Sequence, residues 1–200
     1  MKVKKGEFGY FRKEKKKRAV ITLILFLIPL AAFAGGYLYY KTRMNIVTVI
    51  AVVGCLPGCK SMVGLIMAMM QKSMEPEVYE KIRETAGDLT MSYEMYITSY
   101  DRSGYVDACA ICGNEVVGYS SDEKTDPAHT ASNVQKILRQ NGYGVNVKIL
   151  RDLGPYLERL QSLRKHRESL EKDISFQPDE RYPDLSRKEL IKHLILAISL

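Results

Sequence analysis

Two apolar runs dominate the first third of the chain. Ala19 to Tyr40 carries no charge over 22 residues and is interrupted in composition only by Thr22, Pro29 and two glycines. As a helix it is ~33 Å long, enough for a hydrocarbon core of ~30 Å. Tyr37, Tyr39 and Tyr40 close it as an interfacial aromatic belt would. After the polar loop 41–45, a second run extends from Ile46 to Met70, with one charge, Lys60, near its middle. The pattern predicts a transmembrane helix hairpin over 19–71. A competing reading is a cleaved signal peptide, since Ala32-Phe33-Ala34 resembles a small-residue cleavage site. The long basic leader and the immediate second run argue against it.

Beyond residue 71 the periodicity changes. Glu75-Pro76 opens a helix to about Thr85, with Val78 and Ile82 on one stripe and Gly87 as its stop. Thr90 to Ser99 alternates, placing Met91, Tyr93, Met95 and Ile97 on one face of a strand. Asp101 to Gly104 is turn chemistry, Tyr105–Cys112 a second strand, Gly113-Asn114 a hairpin turn of the II′ type, and Glu115–Ser120 a third strand. Asp126-Pro127 starts a helix to about Arg139, and Val145–Leu150 is a fourth strand. One long helix then runs from Gly154-Pro155 to about Asp173. A loop at 174–185 with Pro178 and Pro183 precedes a last helix with a Ser186/Glu189 capping box. That helix is too short to span a bilayer, and it either packs on the sheet or lies on a membrane surface. The expected fold class is α+β: an antiparallel meander, a fourth strand and covering helices.

Charge fixes the expected orientation. Residues 1–71 hold 12 basic and 2 acidic side chains, a net of +10, and the remainder holds 18 and 21, a net of −3. Nine Lys/Arg precede the first run, whereas only Lys41 and Arg43 lie in the loop, so the positive-inside bias puts both termini in the cytoplasm. The expected organisation is a basic cytoplasmic leader over 1–18, the hairpin over 19–71 and a cytoplasmic domain over 72–200. The leader faces anionic lipid, which accounts for the basic charge without nucleic acid.

Within the second run, Gly54-Cys55-Leu56-Pro57-Gly58-Cys59-Lys60-Ser61 stands out. Pro57 predicts a kink in a packed hairpin or, alternatively, a re-entrant break with Lys60 nearer the headgroups. A lysine in hydrocarbon must snorkel, pair or face a wet cavity. Cys55, Pro57, Cys59 and Lys60 are therefore the candidate intramembrane functional residues, for transport, oligomerisation or thiol chemistry. The basic leader, the two spans, this cysteine stretch and Gly118-Tyr119-Ser120-Ser121-Asp122 with Lys124-Thr125-Asp126 resemble a group of small membrane proteins of Gram-positive bacteria. The resemblance implies a bacterial cell-membrane protein and no activity.

In the domain, Cys109-Ala-Ile-Cys112-Gly113 resembles half a zinc knuckle but lacks a second ligand pair. On a regular strand the two thiols point to opposite faces. The meander followed by helix and strand loosely resembles the core of restriction-endonuclease-like nucleases, with Asp107 and Glu115 as the acids of a metal-dependent site. Val117 stands where their lysine is expected. His129 has no evident nucleophile beside it, and Asp122, Glu123, Lys124 and Asp126 read as a solvated loop and helix cap. No cofactor or metal site is assigned. The leading functional expectation is a membrane-tethered interaction or regulatory module, with a protein partner or a second copy as its target.

Overall fold

The computed structural model describes residues 3–41, 46–99, 102–172, 174, 182 and 184–199. Asp101 in the predicted turn and most of the predicted 174–185 loop, Pro178 and Pro183 included, lie outside the described residues. The chain divides into two compact units: Phe11–Lys72, and the flanking segments up to Tyr10 and from Ser73 onward.

The first unit is an antiparallel pair of long helices, α1 (Tyr10–Tyr40) and α2 (Ile46–Met70), both long and apolar enough to cross a membrane. The basic stretch 12–18 forms the first turns of α1. Small residues and hydroxyls set the contact between the helices. A side chain on Gly36 would collide with Val47, and one on Gly58 would press on the Phe26 ring at 3.2 Å. Thr22 Oγ1 donates to Arg18 O at 2.8 Å, so Ser61 Oγ donates to Thr22 Oγ1 across the pair at 2.7 Å. Arg18 Nη1 donates to Gly64 O at 3.1 Å, and Lys15 Nζ donates to Gln71 O, just past the end of α2. α2 is one continuous helix through Pro57, so the re-entrant break is not formed.

The second unit is a four-stranded sheet in the order β1-β2-β3-β4, with β1 Thr90–Ile97, β2 Gly104–Cys112, β3 Glu115–Tyr119 and β4 Asn146–Leu150. The first three strands form the expected antiparallel meander. β4 runs parallel to β3, as the crossover through α4 (Pro127–Gln140) demands. Helices cover both faces. One face packs Val134 and Leu138 of α4 and Ile191 and Ile195 of α7 (Arg187–Ala197) against Met95, Ile97, Cys109 and Ile111. The other packs Ile82 of α3 (Pro76–Ala86) and Tyr156, Leu160 and Leu163 of α5 (Leu153–Lys165) against Ala108, Ala110, Cys112 and Val117. All nine residues of β2 are buried between these layers.

Two local outcomes, at the long helix and in β1, differ from the sequence expectation, whereas the last helix follows it. The predicted long helix ends at Lys165, because His166 leaves helical backbone values (φ −102°, ψ 14°), and a short α6 (Arg167–Glu171) follows. The His166 ring Nδ1 lies 2.9 Å from Ser162 O, the carbonyl that also takes the His166 N–H. The last helix packs on the sheet, and its capping box is formed: Glu189 Oε2 accepts from Ser186 N at 2.8 Å and from Ser186 Oγ at 2.6 Å. β1 does not keep Met91, Tyr93, Met95 and Ile97 on one face. Met91 and Tyr93 pack with α3 and α5, whereas Met95 and Ile97 pack with α4 and α7. The switch occurs at Glu94, whose φ of +50° reverses the pleat.

Residues 5–9 form part of this unit. Tyr93 N donates to Gly6 O at 2.9 Å on the outer edge of β1. Phe8 stacks on Tyr79 at 4.0 Å and 11°. Lys5 Nζ donates to Ser199 O at 2.5 Å. Farther along the same edge, Thr98 N donates to Ile198 O at 3.2 Å. The two ends of the chain therefore close one sheet edge together, which protects it from pairing with other strands.

Candidate functional site

The residues singled out in α2 do not converge. At about 100° per residue, Cys55 and Cys59 fall on one flank of the helix and Lys60 on the other. Cys59, Lys60 and Pro57 are exposed, and Cys55 is half-buried. The cross-hairpin pairs Thr22–Ser61, Phe26–Gly58 and Pro29–Gly54 place Lys60 level with Leu23. That is five residues from Arg18, roughly 7.5 Å along the axis. Lys60 is therefore close to the middle of α2, two residues past its midpoint on the side of the cationic stretch 12–18.

In the domain, Cys109 and Cys112 pack into opposite cores, one on each side of the sheet. They share neither a metal nor a disulfide in this geometry. Burial pushes the Cys109 thiol up to about 12, and burial followed by Glu171 pushes the Cys112 thiol up, so both are held as neutral thiols. Asp107 and Glu115 are also apart. Glu115 pairs with Cys112, five residues along β2 from Asp107, roughly 17 Å away. Its carboxylate accepts from Arg159 Nη2 at 3.1 Å and from Asn146 Nδ2 at 3.3 Å. Val117 is core. The meander, helix and strand follow in the expected order, and Asp107 and Glu115 do not meet within it.

Asp126 caps α4. Its Oδ1 accepts from Ala128 N at 3.0 Å and from His129 N at 3.2 Å, and the His129 bond is the main reason its carboxyl is held below the ordinary value. His129 serves the cap through its backbone. Asp122 Oδ2 accepts from Thr125 Oγ1 at 3.3 Å.

One cluster escaped the sequence reading. Glu94 and Asp107 lie opposite each other between the register pairs Tyr93↔Ala108 and Met95↔Val106, with 1% and 2% of their surface exposed. Glu94 Oε1 accepts from Met74 N at 3.1 Å, and Asp107 Oδ2 accepts from Ser121 N at 2.6 Å. Tyr105 is buried beside them, and burial followed by the charges of Asp107 and Glu94 holds its phenol far above the ordinary value. Tyr156 behaves alike through burial, and Tyr93 is pushed up to about 12. All three phenols therefore remain protonated. Ser120 Oγ donates to Tyr105 O at 2.6 Å, so its proton is committed to a carbonyl and no base activates it. The visible signal was Asp107 itself, a carboxylate inside an otherwise apolar strand. Glu94 gave none, because it occupies a position that simple alternation sends to solvent.

The two hydrogen bonds described for this cluster's acids go to backbone N–H groups. Its acids bind the backbone where the chain enters the domain (Met74) and where it leaves β3 (Ser121), and they hold the point at which β1 changes faces. Among the described residues no group of three or more His, Cys, Asp or Glu side chains is arranged to hold a metal ion. A void of about 10 Å³ bordered by Met95, Val106, Cys109 and Ile195 is too small for a ligand. A surface hollow of about 170 Å³ beside Gly113 and Glu171 has Arg187 in its wall, whose guanidinium already donates to Gly113 O and Asn114 Oδ1. No protein-family model, curated protein or solved structure matches the chain.

Proposed function

We propose that the chain is a two-span protein of a bacterial cell membrane, with both termini in the cytoplasm. Its domain is an interaction or regulatory module held at the membrane, and anionic lipid lies against its basic residues. The observation that carries the reading is the shared fold of the two chain ends. Residues 5–9 and the segment from Ser73 onward belong to one unit, and the two apolar helices are inserted between them in the sequence. A chain whose ends fold together crosses a bilayer an even number of times. The cations at 12–18 add the positive-inside bias at that same end. The module reading rests on the domain's buried polar groups, whose bonds serve its own backbone.

Reporter fusions after residue 200 test the topology. A fluorescent protein there fluoresces and alkaline phosphatase there stays inactive; an active phosphatase overturns the reading. Cross-linking of the full chain in intact membranes tests the module. A discrete adduct, with another protein or with a second copy, supports it, and monomer alone overturns it.

A further inference from the structure

The cations at the start of α1 divide into two sets by direction. Measured around the helix from Arg12 at about 100° per residue, Lys16 falls at ~40°, Lys13 at ~100° and Lys17 at ~140°. The residues that meet α2 fall in a different sector. On the same count Gly36 lies at ~240°, Pro29 at ~260°, Thr22 at ~280° and Phe26 at ~320°. Lys15 and Arg18 lie in that second sector, and both donate to backbone carbonyls across the hairpin. Arg12, Lys16 and Lys17 are exposed and have no ion-pair or hydrogen-bond partner among the described residues, and Lys13 shares their face. Continuing along the same face, the surface turns apolar: Val20 is 56% exposed and Leu27 60%. The distance from Lys17 to Leu27 is roughly 15 Å along the axis.

A cationic patch of two turns followed directly by an apolar strip on one helix face has the polarity of a phospholipid. We propose that Arg12, Lys13, Lys16 and Lys17 form a binding face for the phosphate headgroup of an anionic phospholipid. One acyl chain lies along Val20 and Leu27, while Lys15 and Arg18 serve the hairpin. This rests on the two-span reading and sharpens it, because it assigns the basic residues to two jobs. A diffuse attraction to a negative surface would treat all six alike.

The full chain is reconstituted in phosphatidylcholine bilayers containing spin-labelled phosphatidylglycerol, and the affinity of that lipid relative to phosphatidylcholine is measured. Lys16→Gln and Lys17→Gln each lower the relative affinity about fivefold, the factor that ~1 kcal/mol per basic residue corresponds to. Lys15→Gln leaves it unchanged. Equal affinity in the Lys16→Gln/Lys17→Gln double variant, or an equal loss with Lys15→Gln, overturns the site. Alkaline carbonate extraction of the same samples separates the two readings. Release of the chain overturns the two-span reading and the lipid site with it. Retention without lipid preference overturns the lipid site alone.

Discussion

The helix pair and the sheet unit treat apolar side chains in opposite ways. Every exposed large hydrophobic residue among those described, except Tyr182, belongs to α1 or α2. In β2 of the sheet unit no residue is exposed at all. The sheet unit gains its stability by removing apolar area from water, at roughly 25 cal/mol per Å². The helix pair hides little, and its contacts are glycines against rings, one hydroxyl against another, and Arg18 and Lys15 against carbonyls. Such contacts hold helices together where the solvent is as apolar as the side chains. On the two-span reading, the same residue type carries different energetic weight in the two units.

Leucine truncation breaks the comparison most directly. Leu160→Ala, at a position with no exposure, is expected to destabilise the domain by about 2–5 kcal/mol. Leu27→Ala, at 60% exposure, is expected to shift the same unfolding curve by under ~0.5 kcal/mol. Chemical denaturation of the full chain in detergent, followed by tyrosine fluorescence, reads both. Similar losses would mean that the surface of the helix pair is covered by protein rather than lipid.

Glu94 supplies an intermediate effect. Glu94→Ala leaves the Met74 N–H without its acceptor, a loss of about 1–3 kcal/mol. Glu94→Gly loses the same acceptor but relieves the left-handed backbone, so it is expected to be milder by about 1 kcal/mol. Melting both variants checks the order. Alanine tolerated as well as glycine would mean the backbone reversal is unstrained.

The smallest effect is on pH. Asp126 and Glu189 both cap helices, and both carboxyls are held below their ordinary values by the groups they cap. A depressed folded value means the stabilisation is fully present above the unfolded value near 4 and is lost as pH falls through the folded one. Asp126→Asn is expected to flatten the acid limb of the melting temperature between about pH 4 and pH 2, with little change at pH 7. The helix pair has no such capping carboxylate in its first turns, so its helicity is expected to be insensitive over that range.

Much of the molecule was legible because local patterns and tertiary demands agreed. Charge-free length marked α1, turn residues marked the meander, and the Ser186-x-x-Glu189 spacing marked the last helix. The opposition of Cys109 and Cys112 followed from the two-residue period of a strand. Legibility failed where one residue overrode its neighbours. Glu94 adopts a conformation that glutamate rarely takes, and from there on every side chain of β1 faces the other way. His166 ends a helix whose apolar stripe continues past it. The role of residues 5–9 was invisible for a different reason. Their partners are Tyr79, Tyr93 and Ser199, dozens to almost two hundred residues away, and no local period encodes such a pairing.

That pairing carries a consequence for how the protein is made. Gly6 leaves the ribosome 87 residues before Tyr93, the residue whose N–H it accepts. At ~5–20 residues per second the segment waits about 4–17 s, during which both helices are synthesised. The domain cannot close early around the wrong arrangement, since the strand that completes the edge has not yet been translated. On the two-span reading proposed above, helix insertion comes first and closure second, with the amino-terminal cations still unencumbered while orientation is decided.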